Sequence, residues 1–200
     1  MMARSIYGVV LLTFVLTFLG CKSDADKQPL SSIDGLTSEV GVEKTVPPFV
    51  LRVDPLVGIG TGQATGSRSL SEQKTVVFRL KLAGATPGAA LPALLLQAAP
   101  TGWTPDQVQI ALLYHMEAAA VLRVGNQTIR PVHASAEIGM ANDKQLTVVF
   151  VFPISPAKLL DKEETVFELS DAFFLPLPET FRFNQTDLKR AFQQTQGILN

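Results

Sequence analysis

The sequence predicts a mainly β protein, an antiparallel immunoglobulin-like β-sandwich of about seven or eight strands with one or two short helices. Two observations support this class. Short runs of β-branched and aromatic residues recur between residues 49 and 183, and turn-forming residues separate them. Several of these runs alternate apolar and polar side chains, as half-buried strands do. A single cysteine excludes a disulfide within the chain, so the domain must be stabilised by its core.

The two clearest strands lie at residues 74–82 and 145–152. In the first, Arg79 and Lys81 share one face, as expected of a half-buried strand. The opposite face is apolar and consists of Val76, Phe78, Leu80 and Leu82. The second segment is apolar on both faces over its latter half, which predicts a central strand that ends at Pro153.

Three shorter strands complete this set. Residues 49–53 predict the first strand of the domain, which Asp54-Pro55 ends. Residues 165–169 follow a charged turn, and residues 180–183 alternate after a proline-rich segment.

A hairpin is predicted over residues 121–130, because Gly125-Asn126 is a turn signal between two apolar runs. The expected register pairs residues across that turn. It places Leu122 opposite Ile129 on one face and Arg123 opposite Thr128 on the other, which separates apolar from polar side chains.

Residues 108–114 fit either a strand or a helix. The preceding residues 104–107 resemble a helix start, with Pro105 at the first helical position. The segment itself alternates as a strand does, with apolar side chains at Val108, Ile110, Leu112 and Tyr114. We assign a strand on that alternation.

Two short helices are predicted. One covers residues 92–99 inside an uncharged insert, residues 83–100, that interrupts the spacing of the strands. The other is C-terminal and covers residues 184–196. Its apolar side is formed by Leu188, Ala191, Phe192 and Thr195.

The insert contains the candidate partner-binding residues Leu94, Leu95 and Leu96. In one interpretation the helix caps an open end of the sandwich and buries these leucines. In the other they form an exposed patch on which a partner protein, a peptide or lipid docks. Successive helical residues are about 100° apart, so we expect at least one leucine to be buried and at least one to be exposed.

The N-terminus has a different character. Arg4 precedes an apolar run over residues 6–19, fourteen residues and too short to span a bilayer as a helix. Gly20 then precedes Cys21, and this pattern resembles the lipobox of bacterial lipoprotein signal peptides. The resemblance implies that residues 1–20 are a signal peptide removed before Cys21, that acyl chains such as palmitate are attached to the Cys21 thiol, and that they anchor the protein to a membrane of the cell envelope.

Residues 21–48 are predicted to form the lipidated cysteine and a flexible tether, and residues 49–200 the β-sandwich domain. The tether is polar and has neither a helical nor a strand period. Its mean span is roughly 30 Å. For a bacterium with two membranes, the same resemblance implies that Lys22, in place of Asp after the cysteine, favours the outer membrane, with the domain facing the periplasm or the cell surface.

Composition narrows the classes of partner and of chemistry. The 17 Lys and Arg nearly balance the 18 Asp and Glu without a basic patch, so no nucleic-acid partner is expected. The glycine-rich residues 58–67 lack the context of a dinucleotide or phosphate loop and predict a surface loop. Neither a Gly-x-Ser-x-Gly elbow nor a His-Glu-x-x-His motif occurs, so we predict no enzyme and no cofactor.

A weak metal alternative rests on imidazole and thioether groups, which suit copper. It comprises His115, Met116, His133 and Met140. The spacing does not match the His-Met pattern of periplasmic copper chaperones, and methionine also fills cores.

The sequence therefore predicts a membrane-anchored envelope lipoprotein whose non-catalytic β-sandwich binds or positions another envelope component, with an envelope protein as the partner. The membrane is contacted through the lipid on Cys21. The alternative is a periplasmic lipoprotein that binds a small ligand or a copper-like metal, near the glycine-rich loop or the two histidines.

Overall fold

The computed structural model describes residues 40–57, 74–137 and 144–198. These residues contain nine strands: β1 Val42–Val46, β2 Phe49–Val57, β3 Val76–Gly84, β4 Ala120–Val124, β5 Gln127–Ile129, β6 His133–Glu137, β7 Gln145–Phe152, β8 Glu164–Leu169 and β9 Glu179–Asn184. They also contain five helices: α1 Leu91–Ala98, α2 Pro105–Tyr114, α3 Met116–Ala119, α4 Pro156–Leu160 and α5 Gln185–Ile198. The predicted mainly β class is confirmed, with more strands and more helices than expected.

The strands form two antiparallel sheets in an immunoglobulin-like order. The five-stranded sheet runs β1-β2-β3-β7-β6 and the four-stranded sheet runs β5-β4-β8-β9. If β2 to β9 are lettered A, B, C, C′, D, E, F and G, the sheets read A-B-E-D and C′-C-F-G, with β1 as an additional edge strand. The three helices α1 to α3 are inserted between B and C.

The two sheets enclose a core rich in phenylalanine. Phe167 of β8 lies at its centre, 5.5 Å from the ring of Phe78 and 5.4 Å from that of Phe150, both in the opposite sheet. The predicted apolar face of β3 is confirmed, because each of its members is buried: Val76, Phe78, Leu80 and Leu82. These cross-sheet contacts join the two layers into one core.

Several elements agree closely with the sequence. β7 has the predicted bounds and is central, because it pairs with β3 and β6. The hairpin register is confirmed at both predicted pairs, Leu122–Ile129 and Arg123–Thr128. α5 buries all four of the side chains predicted to line its inner side: Leu188, Ala191, Phe192 and Thr195.

The strand assigned to residues 108–114 is wrong, because this segment belongs to α2. Thr104 forms a capping box in which its Oγ1 accepts from Gln107 N at 3.4 Å and its N donates to Gln107 Oε1 at 2.8 Å. Pro105 occupies the start of the helix. The buried side chains have helical spacing: Val108, Ala111 and Leu112. The local capping signal therefore outweighs the apparent alternation.

The folded domain begins before residue 49, because residues 42–46 of the predicted tether form β1. This strand pairs with the first half of β2. Lys44, in its middle, lies 5.6 Å from the ring centroid of Phe181 and 3.1 Å from Glu179 Oε2. A lysine on an edge strand discourages pairing with other chains. Because Lys44 takes an inward position in β1, the alternation of apolar and polar residues is not apparent in the sequence.

β2 continues past Asp54 and Pro55 to Val57, so the predicted stop is wrong. β1 pairs with β2 only as far as Val53. From Asp54 onwards, β3 is the one strand that pairs with β2 among the described residues. A proline is accepted on such an edge because no neighbouring strand needs its missing N–H.

Arg79 is fully buried rather than solvated beside Lys81. Its Nη2 donates to Asp54 Oδ2 at 3.1 Å, and Asp54 Oδ1 accepts from Arg52 Nε at 2.9 Å. Asp54 therefore bridges two guanidinium groups on the outward side of the five-stranded sheet. Apolar side chains nearby on this side are also buried: Leu56, Val77 and Val149.

Candidate functional site

The insertion α1 to α3 brings the candidate leucines to one end of the sandwich. Leu95 is 4% exposed and belongs to the core, whereas Leu96 is 37% exposed. Leu94 is half-buried, and its Cδ1 would lie 3.0 Å from a Cβ added at Gly84. α1 therefore lies closely on the end of β3, and the expected division into buried and exposed leucines is found.

A row of aromatic rings joins this insertion to the connection between β8 and β9. The Trp103 ring lies 5.4 Å from that of Phe173, which lies 5.3 Å from that of Phe174. Phe174 then contacts Phe49 of β2 at 5.8 Å. The two connections correspond to the B–C and F–G loops, which share one end of an immunoglobulin-like sandwich.

We call this surface the apolar end and define it by Leu96, Trp103, Phe173 and Leu177. Trp103 and Phe173 are half-buried, and Leu177 is 71% exposed. Two segments form the apolar end: residues 83–105 and residues 172–178. Neither contains Asp, Glu, Lys, Arg or His. The exposed Asp171 directly precedes residues 172–178, and Asp106 and Glu117 lie on α2 and α3.

A second apolar surface lies on α2, and we call it the α2 face. Ile110 and Tyr114, one helical turn apart, are 50% and 73% exposed. Val132, 59% exposed, directly precedes β6, the strand against which α2 and α3 pack. The α2 face is defined by these three residues.

Polar groups border the α2 face. Glu117 Oε1 on α3 accepts a hydrogen bond from Ala134 N at 3.2 Å and lies 3.8 Å from His133 Nδ1. The Glu117 carboxylate therefore satisfies a backbone N–H donor of the edge strand β6. An apolar centre with a polar border is the usual composition of a protein-binding surface.

The outward side of the four-stranded sheet holds a shallow charged groove of about 560 Å³. Arg123 donates to both carboxylate oxygens of Glu168, at 2.7 and 3.2 Å, and Arg182 donates to Glu164 at 2.9 and 3.0 Å. Hydrogen bonding and Coulomb attraction from Glu168 raise the pKa of the Arg123 guanidinium above its ordinary value. These charges are matched within the sheet, so we assign the groove no ligand.

The copper alternative gains no support from the described residues. Met116 is 3% exposed and lies in the core, whereas His115 is exposed. His133 is beside Glu117, and Met140 lies outside the described residues. Within residues 40–57, 74–137 and 144–198, no group of three or more His, Cys, Asp and Glu could hold a metal ion.

Other predictions fall outside the described part of the chain: the signal peptide, Cys21, residues 22–39 of the tether and the glycine-rich residues 58–67. No helix in the described part is long and apolar enough to cross a membrane. Comparisons of the chain with protein-family models, with curated proteins and with solved structures found no match.

Sequence reasoning missed the α2 face, because the strand assigned there would bury Ile110 and Tyr114 together with Val108 and Leu112. The capping box at Thr104 is the signal that could have revealed it. Helical spacing would have placed Ile110 and Tyr114 together on the side opposite the core.

Proposed function

We propose that the protein is a lipid-anchored lipoprotein of the bacterial cell envelope whose non-catalytic β-sandwich binds another envelope protein through the α2 face. One observation carries the choice of surface. The described residues expose five large hydrophobic side chains; Ile110 and Tyr114 lie one helical turn apart on α2, and Val132 directly precedes the strand against which α2 packs. Apolar side chains grouped in this way mark interaction sites more often than scattered ones do.

The chemistry of the α2 face suits a protein partner. Tyr114 offers a large aromatic surface with a polar tip, and tyrosine is enriched among the residues that dominate binding energy. Glu117 and His133 supply the polar border. The capping box fixes the start of α2, and the core holds its other side, so little ordering entropy opposes docking.

The anchor rests on the lipobox resemblance around Cys21, with the outer membrane as the proposed location and the domain facing the periplasm or the cell surface. Val40, the first described residue, follows Cys21 by 19 positions. At about 3.6 Å per residue, those positions reach at most about 68 Å. The anchor would therefore keep the domain close to the membrane and to partners held there.

Replacing Cys21 with Ser is expected to release the protein from the membrane or to block its processing, because serine has no thiol to lipidate. Fractionation of cells and the mass of the purified chain measure both effects. Ser23→Ala, two positions on, is the matched control and should fractionate as wild type. Normal processing and full membrane retention of Cys21→Ser would contradict the anchor.

Tyr114→Asp is expected to abolish capture of the partner. Loss of a dominant aromatic anchor costs about 2 kcal/mol or more, which corresponds to a roughly 30-fold weaker complex. The measurement is affinity purification of the full lipidated chain from solubilised envelopes, followed by quantification of the enriched protein. Because Tyr114 is largely exposed, the free energy of unfolding should change by no more than about 0.5 kcal/mol.

Asn126→Asp supplies the control for this experiment. It adds the same charge in the exposed turn between β4 and β5, at the end of β4 opposite α3. The proposal predicts that wild type and Asn126→Asp capture the same envelope protein in equal amounts. Tyr114→Asp should no longer capture it. Equal capture by all three variants would show that the α2 face is not the binding surface.

A further inference from the structure

We infer that the apolar end contacts the lipid surface of the membrane that holds the anchor, so that Leu96 and Leu177 enter the interfacial region. The inference depends on the anchor in the proposed function. It does not depend on the protein partner, which is assigned to a different surface.

The distribution of charge along the sandwich supports this orientation. The apolar end lacks charged residues over residues 83–105 and 172–178. Residues 158–164, at the opposite end of β8, are rich in exposed charge instead: Lys158, Asp161, Lys162, Glu163 and Glu164. Moving charges out of water is costly, so the apolar end, where Asp171 is the exposed charge of the β8–β9 connection, can approach lipid at a smaller penalty than the opposite end.

The backbone holds Leu177 outward. It lies between Pro176 and Pro178, and each proline fixes its own φ while restricting the residue before it. Ala172 O accepts from Leu175 N at 2.9 Å, which closes a turn just before this segment. Leu177 is thus presented to the surroundings at 71% exposure and cannot easily fold back onto the core.

Trp103 has the side chain that favours a membrane interface, where its ring faces lipid and its N–H reaches water. It is half-buried and packs on Phe173, so its position within the apolar end is fixed. A protein partner on this surface would be expected to meet hydrogen-bonding or charged groups at the border, as on the α2 face. Residues 83–105 and 172–178 carry no charged group, which favours lipid.

Because the lipid anchor already holds the domain near the membrane, a weak contact between the apolar end and lipid is sufficient to orient the domain. A domain restricted to about 68 Å from its lipidated residue experiences a high effective concentration of the membrane surface. The apolar end therefore needs to favour lipid over water only modestly in order to orient the domain.

Trp103 is the only tryptophan in the chain, so its fluorescence reports on this end alone. The test uses the full lipidated protein in vesicles of phosphatidylethanolamine and phosphatidylglycerol, with or without bromine on the acyl chains. Bromine quenches only a tryptophan that approaches it closely. We expect a loss of Trp103 emission in the brominated vesicles relative to the unbrominated ones.

Leu177→Asp should reduce this quenching strongly, because it places a carboxylate in the contact. In Asn126→Asp, which adds the same charge at the far end of β4, bromine should quench Trp103 as much as in wild type. Flotation with the vesicles, which the acyl chains alone maintain, should be the same for all three proteins. Thermal unfolding verifies that each variant is folded.

The outcomes separate this inference from the anchor itself. A protein that does not float with vesicles refutes the anchor and, with it, this inference. A protein that floats but shows no quenching retains the anchor and overturns the lipid contact. If bromine quenches Trp103 equally in wild type and in Leu177→Asp, the lipid contact is also overturned, because the lipid anchor alone would then account for the closeness of Trp103 to the bilayer.

Discussion

Leu95→Asp is expected to unfold the domain, whereas Leu96→Asp should change the free energy of unfolding by no more than about 0.5 kcal/mol. The two residues are adjacent, but Leu95 is 4% exposed in the core and Leu96 is 37% exposed. An unpaired carboxylate in an apolar site costs several kcal/mol, a large share of the roughly 5–15 kcal/mol by which domains are stable.

Thermal and urea unfolding of the purified proteins measure the difference. Leu95→Ala provides an intermediate control, with an expected loss of about 2–5 kcal/mol from the cavity that it leaves. If Leu95→Asp and Leu96→Asp have equal stability, whether both are folded or both unfolded, α1 does not pack on the core through Leu95 as described.

Elements whose pattern is local could be predicted from the sequence. β3 and β7 alternate or run apolar over their whole length, and a period of two residues needs no knowledge of distant contacts. The hairpin register follows from the turn at Gly125, whose φ of +56° suits glycine. The inner side of α5 follows from helical spacing in the same way.

Elements that depend on distant partners could not be predicted. Lys44 faces inward in β1 because it pairs with Glu179 and lies over the ring of Phe181, both more than 130 positions later in the chain. β6 carries the small side chains Ala134, Ser135 and Ala136, which have weak strand preference and gain their structure from pairing with β7.

The candidate surfaces were predictable only in part. Helix geometry alone required Leu94 to Leu96 to divide between core and surface, and the structure agrees. The apolar end also depends on Trp103 meeting Phe173, 70 positions away, which no local pattern encodes. The α2 face was hidden because two local signals competed, and the capping box prevailed.

Asp54→Ala is expected to lower the free energy of unfolding by about 3–5 kcal/mol, the usual cost of removing one member of a buried ion pair. Asp54 is fully buried and accepts from both Arg52 and Arg79, and Arg79 is itself fully buried. The substitution takes away the carboxylate that holds both guanidinium groups in this geometry. Urea unfolding, with the slope checked for constancy, measures the loss.

Glu164→Ala is the matched control, because it breaks the Arg182–Glu164 pair, whose side chains are 65% and 51% exposed. Water screens that pair, so its loss should cost no more than about 1 kcal/mol. The double variant Asp54→Leu with Arg79→Met should recover most of the stability lost in Asp54→Ala, because no buried charge is then left in the pair. If Asp54→Ala costs no more than Glu164→Ala, the buried carboxylate does not stabilise the outward side of the five-stranded sheet.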